Sequence, residues 1–127
     1  MQISTQILSN GIVAHLNIDN LDASNAKEFG LSMSPILNEN EFIVLDMGSL
    51  EFVDSSGLGA LLSCLRQQNA RGGTLVLCAI SKPVRTLFEL VRMHRVFDIY
   101  NTCDEALMAA VSQETAPEPA LKMTATA

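Results

Sequence analysis

The chain has 127 residues, of which 48% are hydrophobic and 5% aromatic, and its formal net charge is -6. A chain of this length forms one domain and buries enough surface for a core without metals or disulfides. The negative charge argues against binding to nucleic acid or anionic lipid, because both present phosphates that need a basic protein surface. No apolar run approaches the roughly 20 residues that span a bilayer. The N-terminus has no signal-peptide pattern, so we expect a cytoplasmic protein.

The cysteines and histidines do not form a metal-binding pattern. Cys64, Cys78 and Cys103 lie far apart without a C-x-x-C pair, and His15 and His94 fall in unrelated segments. A zinc site needs clustered ligands, so we predict no metal site, and no cofactor is indicated. We interpret the three cysteines as small buried apolar residues in a reducing compartment.

The N-terminal segment predicts a β-hairpin. Asn10-Gly11 separates two alternating stretches, residues 2–8 and 12–18, and this dipeptide is a strong hairpin signal between such stretches. The apolar residues of the second stretch share one face, which leaves His15 on the other face. We interpret His15 as a solvated surface residue.

The following segment predicts a helix for which Asp22 is the N-cap. Pro35 lacks an N–H group and should break or kink this helix, so we expect an irregularity near Ser34. The apolar residues that recur close to the helical period are Ala26, Phe29, Met33, Ile36 and Leu37.

Three apolar runs, residues 42–47, 74–80 and 96–100, predict further strands. The first two are typical of central strands that are covered on both faces. The helices between and after them are marked by a leucine stripe ending at Gly72-Gly73, by Pro83 in a first turn, and by a capping box over residues 102–105.

The resulting order, β-β-α-β-α-β-α-β-α, predicts an α/β fold. Strand–helix–strand crossovers imply a mostly parallel central sheet, which here carries an N-terminal β-hairpin and about four helices. We place this single domain at residues 1–113. Residues 114–127 contain prolines and small residues without a period, so we expect a disordered C-terminal tail.

The segment Glu51 to Leu65, EFVDSSGLGALLSCL, is the candidate site, but it lacks the patterns of an enzyme. Around Ser56 the G-x-S-x-G nucleophile elbow is incomplete, since Asp54 stands where its first glycine belongs. No Walker lysine follows Gly57 or Gly59, and a catalytic triad would need a histidine brought to Ser56, for which only two histidines are available. Carboxylates such as Asp22 and Asp54 are common at helix caps, so we predict a binding protein rather than an enzyme.

Helix phase distinguishes the two serines of this segment. At about 100° per residue, Ser56 projects away from the leucine stripe, toward solvent. Ser55 projects nearer to the buried face, so we expect Ser55 to cap the helix. Gly57 and Gly59 have no side chains and leave room beside Ser56 for a second protein to approach.

D-S-S-G before a helix is also ordinary N-cap chemistry. Gly59 favours a role beyond folding, since alanine there would serve the helix better by about 1 kcal/mol. A phosphate on Ser56 would add about -1.5 to -2 charge at a helix N-terminus, which tolerates negative charge. Its effect would therefore fall on the affinity for a partner rather than on the fold.

Three runs resemble the anti-sigma-factor antagonist family of STAS domains: LDASNAKEF from Leu21, LDMGSLEFVDSSGLGALL from Leu45, and TLVLCAISKPVRTLFELVRMHRVFDIY from Thr74. The resemblance covers most of the chain and implies a STAS-like domain that acts by binding. It implies one partner, an anti-sigma factor that is also a serine kinase of the histidine-kinase-like ATPase fold. A serine phosphatase would reverse the phosphorylation.

The resemblance also implies roles for particular residues. Ser56 matches the phosphorylated serine, and unmodified protein would sequester the anti-sigma factor. The residues that match the partner-binding surface are Asp22, Asp54, Ser55, Ser56, Gly57, Leu58 and Gly59. The chain departs from the family pattern at Arg92-Met93-His94 and at Asp19-Asn20, which would alter partner choice.

Two other functions remain open at this point. The domain could be a structural STAS subunit of a transporter or sensory complex without a phosphorylation cycle. It could also be a partner-switching regulator whose output is secretion, motility or biofilm formation. A hydrolase that uses Ser56 is disfavoured for want of a base.

Overall fold

The computed structural model describes residues 1–9 and 11–115. The strands are β1 (Ile3–Leu8), β2 (Gly11–Leu16), β3 (Asn20–Leu21), β4 (Phe42–Asp46), β5 (Phe52–Val53), β6 (Thr74–Cys78) and β7 (Asp98–Tyr100). The helices are α1 (Ala26–Glu39), α2 (Ser55–Ala70), α3 (Lys82–Leu90) and α4 (Cys103–Thr115), with a short 3-10 helix at Met93–Arg95.

Five strands form one sheet in the order β1-β2-β4-β6-β7. β1 and β2 pair antiparallel, and every other neighbouring pair in this sheet is parallel. The centre is occupied by β4 and β6, whose apolar runs align so that Val44 lies opposite Val76. Both strands are buried on both faces, which is why their sequences are continuously apolar.

The two faces of the sheet are covered unequally. Side chains alternate along a strand, so Ile43 and Leu45 enter the larger core with α1, α2 and α3. Val44 and Val76 enter a smaller cluster on the opposite face, to which α4 contributes Ala106. Within the described residues, α4 covers this second face, with Ala106 and Ala110 buried and Leu107 partly buried.

A separate two-stranded sheet pairs β3 with β5 in parallel, with Leu21 opposite Val53. Neither strand was expected from the sequence, because two residues are too short to show a period. The pairing brings the segment before α1 beside the segment before α2.

The predicted α/β fold, its mostly parallel sheet and its N-terminal hairpin are confirmed. Asn10 of the expected Asn-Gly turn lies outside the described residues, as do residues 116–127 of the expected tail. The predicted break at Pro35 is wrong, because α1 continues through this residue, and the kink stays a prediction. Phe29, Met33 and Leu37, buried on both sides of the proline, hold the two halves against the core.

Candidate functional site

The candidate site lies where the segments before α1 and α2 meet. The side chain of Asp54 joins them: Oδ1 accepts a hydrogen bond from Gly57 N at 2.9 Å, and Oδ2 accepts one from Ala23 N at 3.2 Å. Asp54 is thus the N-cap of α2 and also an anchor for the turn that contains Asp22. One carboxylate fixes the two predicted partner-binding segments relative to each other.

Ser55 and Ser56 form the start of α2, and both are exposed. The exposure of Ser56 agrees with helix phase. The prediction that Ser55 caps the helix is wrong, because Asp54 precedes it with extended backbone and accepts from Gly57 N. A carboxylate one residue earlier reaches the first-turn N–H groups, which leaves both serine side chains at the surface.

The two glycines of this turn have different roles. A Cβ on Gly57 would lie 2.2 Å from the carbonyl oxygen of Leu21 and 2.9 Å from a methyl carbon of Val53. Gly57 is therefore needed for packing within the chain, and the expectation that it leaves room for a partner is wrong. A Cβ on Gly59 would meet nothing within 4 Å, so the open surface beside Ser56 lies at Gly59.

Asp22 lies in a hydrogen-bonded turn that precedes α1. Its carboxylate accepts from the hydroxyl and backbone N–H of Ser24 and from Asn20 Nδ2 at 2.8 Å. The Ser24 side chain contributes most, followed by the Asn20 side chain, and together these bonds lower the pKa of the Asp22 carboxyl. The prediction that Asp22 is the N-cap of α1 is wrong: Asn25 holds that position, and α1 begins at Ala26.

Two apolar residues lie in the chain close to Ser56. Sequence reasoning did not single out Phe52, and it named Leu58 without predicting how far its side chain is buried. Phe52, on β5, is 55% exposed and stands two residues before Asp54. Leu58 is half-buried and packs against the core. Because the inward residue of the short strand is Val53, its neighbour Phe52 must point outward. Exposed aromatic rings are enriched at protein-binding surfaces, so Phe52 is a candidate contact residue.

The histidines do not supply a base for Ser56. His15 Nδ1 lies 2.7 Å from Asp46 Oδ2, and His94 Nδ1 lies 3.5 Å from the Phe88 carbonyl oxygen. The expectation that His15 is a solvated residue is wrong: it is half-buried, since β2 and β4 are adjacent and place His15 opposite Asp46. This arrangement is that of a cross-strand pair, not of a catalytic triad at Ser56.

The cysteines differ from the expectation that all three are isolated thiols. Cys78 and Cys103 form a disulfide, with Cα atoms 5.3 Å apart, because the chain returns to the end of β6 when it enters α4. Together with Asp46 they form the one group of three potential metal ligands found within the described residues. A bonded sulfur pair offers no thiolate, so this group does not fit a metal ion in the disulfide form. Cys64 is a free buried thiol, as predicted, and burial raises its pKa to about 11.

None of the helices within residues 1–9 and 11–115 combines the length and the apolar character that crossing a bilayer requires.

Comparison with known proteins places this geometry in a family. The family model described as the STAS domain matches residues 3–106. A Paenibacillus polymyxa protein named anti-sigma F factor antagonist is 36% identical over 67 residues, a match that spans 53% of this chain and 57% of that protein.

Two solved structures share the fold. An anti-sigma-factor antagonist (STAS) domain protein from Planctomyces limnophilus superposes with a TM-score of 0.78 at 18% identity, over 87% of this chain and 98% of that chain. The Bacillus cell fate determinant SpoIIAA in the phosphorylated form superposes with a TM-score of 0.63 at 22% identity, over 85% of this chain and 98% of that chain. Because the family model spans most of its length, the chain belongs to the STAS domain family.

Proposed function

We propose that this protein is an anti-sigma factor antagonist that acts by reversible binding. Its unmodified form binds an anti-sigma factor that is also an ATP-dependent serine kinase. Phosphorylation of Ser56 ends this complex, and a serine phosphatase restores the binding form. The protein is then a substrate and a ligand rather than an enzyme.

The observation that carries this proposal is the exposed hydroxyl of Ser56 on a rigidly held helix start. Asp54 bonds to both neighbouring segments, and Gly57 packs on the Leu21 backbone, so the turn does not need the serine side chain for its structure. The open surface at Gly59 leaves a kinase access to that hydroxyl. The names of the Paenibacillus and Planctomyces proteins, and the phosphorylated form of SpoIIAA, support the same function.

The partner-binding surface would consist of the Asp22 turn and the first turn of α2, with Asp54, Ser55, Ser56, Leu58 and Gly59. Gly57 would act there by positioning the turn rather than by contact, since it is buried.

A phosphate on Ser56 would leave the fold intact and weaken binding. The N-terminus of a helix carries partial positive charge and tolerates a phosphate. At a closely packed interface the added charge must be desolvated next to the carboxylates of Asp22 and Asp54. Like charges forced together at an interface cost several kcal/mol, and each 1.4 kcal/mol is about tenfold in affinity.

Phosphorylation by the cognate kinase tests the modified residue. We expect intact-mass spectrometry to show one added phosphate on the wild-type protein and on Ser55→Ala, but none on Ser56→Ala. A phosphate on Ser55, or an unchanged mass for the wild-type protein, would refute the assignment.

Binding to the kinase then tests the switch. Ser56→Glu should keep the wild-type circular dichroism spectrum and bind at least about tenfold more weakly than Ser56→Ala, which has the same fold without the charge. Equal affinity of the two variants would favour a structural STAS subunit without a phosphorylation cycle.

A further inference from the structure

Cys78 and Cys103 occupy positions with different access to solvent. Cys78 is the last residue of β6 and is fully buried, whereas Cys103 is the first residue of α4 and is half-buried. Their Cα atoms lie 5.3 Å apart, within the range that a disulfide spans without backbone movement. Cys103 is therefore the more accessible member of the pair.

Cys103 lies at the start of a helix and close to acidic side chains. The preceding residue, Thr102, accepts a hydrogen bond from Glu105 N at 3.1 Å and so caps the first turn of α4. A thiol at a helix N-terminus is stabilised as the thiolate by the aligned peptide dipoles. The Asp46 carboxylate lies within 4.8 Å of both sulfurs, and the acidic residues Asp104 and Glu105 follow in the same first turn, so access to solvent rather than charge distinguishes the two cysteines.

We propose that Cys78 and Cys103 are a reversible thiol–disulfide modification site that exchanges with small-molecule disulfides of the glutathione class. The Cys103 thiolate attacks one sulfur of the small disulfide, forms a mixed disulfide and releases the first small thiolate. Cys78 then loses its proton and attacks Cys103 Sγ, which releases the second small thiolate. Two protein thiols are oxidised, one small disulfide is reduced to two thiols, and the two protons pass to the released thiolates.

The bond would control how firmly α4 is held on the sheet. Within the described residues, α4 packs on this face through the buried Ala106 and Ala110 and the partly buried Leu107. The bond joins the first residue of α4 to strand β6, so reduction removes the covalent link and leaves the apolar contacts of these three residues. In a reducing compartment, disulfides of this kind are typically transient and redox-sensing.

To test the proposal, the full-length protein is equilibrated in buffers that differ in the ratio of reduced to oxidised glutathione. Free thiols are then alkylated, and intact-mass spectrometry counts the alkylated cysteines. We expect two alkylation sites to disappear together as the buffer becomes oxidising, and to return on reduction. The same transition is expected for Cys64→Ala, because Cys64 is buried apart from the pair.

Two single variants test the order of attack. Cys78→Ser should trap one glutathione on Cys103, whereas Cys103→Ser should trap none, because Cys78 is fully buried. Hydrogen exchange of residues 103–110 in the wild-type protein should quicken at least about tenfold on reduction, while that of α2 stays unchanged; this readout does not depend on either variant folding.

Three results would overturn the proposal. One is that Cys78 and Cys103 remain alkylatable in the most oxidising glutathione buffer. Another is that the folded protein keeps the bond in the most reducing buffer, which would make it a permanent structural disulfide. The third is a stoichiometric zinc ion that copurifies with the reduced protein and blocks oxidation, which would make the cysteines metal ligands beside Asp46.

Discussion

The first turns of α2 and α4 are held in place by different means. At α2 the fixing contacts come from the backbone and from the cap: Gly57 packs on the Leu21 carbonyl, and Asp54 bonds to both Gly57 N and Ala23 N. At α4 the first side chain, Cys103, is itself the link to the sheet. A change on Ser56 therefore alters the surface and leaves the helix in place, whereas a change on Cys103 alters the attachment of its helix.

The faces that the two helices bury reinforce this difference. α2 packs Leu61, Cys64 and Leu65 against the larger core. α4 packs the smaller side chains of Ala106 and Ala110, together with the partly buried Leu107, against the opposite face of the sheet. We therefore expect phosphorylation of Ser56 to leave α2 in place, because other side chains hold this helix on the core. Oxidation or reduction of Cys103 should instead change how firmly α4 is attached to the sheet.

Substitution of the two glycines of α2 is expected to have the largest effect on stability. Gly57→Ala places a Cβ against the Leu21 carbonyl and should lower the free energy of unfolding by about 2–3 kcal/mol. Gly59→Ala, the matched control on the same turn, meets open space and should raise it by up to about 1 kcal/mol. Urea denaturation measures both; equal effects would show that the α2 start is not fixed by backbone packing.

Removal of the N-cap side chains of α2 and α4 is expected to have a smaller effect on stability. It tests directly whether the two helix starts are held by different contacts. Thr102→Ala removes one local bond to Glu105 N and should cost about 1 kcal/mol. Asp54→Ala also removes the acceptor of Ala23 N, so it should cost about 2 kcal/mol. Thermal denaturation of the two variants ranks their losses of stability. A larger loss for Thr102→Ala would contradict the conclusion that the cap of α2 holds more of the structure than the cap of α4.

Acidification is expected to have the smallest effect, confined to the turn at Asp22. Hydrogen bonds from Ser24 and Asn20 lower the folded-state pKa of this carboxyl, so its contribution is complete above the unfolded pKa of about 4. The contribution is lost as the pH falls through the lower folded value. An NMR titration of the Ser24 amide should have its midpoint below about 4, and Asp22→Asn should abolish that step; a midpoint above this value would contradict the hydrogen bonding.

Sequence reasoning went furthest where the signal was local. Apolar runs and helical periods predicted the main strands and helices, and helix phase predicted that Ser56 faces solvent. It failed at Asp22, where three turn residues intervene before the helix, and at Ser55, where the neighbouring Asp54 is the N-cap. At α2 the local pattern identified a helix start but not that Asp54 would accept from Gly57 N, and at α1 the N-cap residue, Asn25, makes no side-chain cap hydrogen bond.

The sequence by itself determined the α/β order of elements, the apolar core strands and an exposed serine at a helix start, because periodicity and capping depend on residues close together in the chain. Only the tertiary structure decided what Gly57 packs against, which backbone groups Asp54 joins, and that His15 meets Asp46 and Cys78 meets Cys103. These partners are far apart in the chain. They meet because strand pairing and crossover connections bring distant segments together, and no spacing in the sequence records that path.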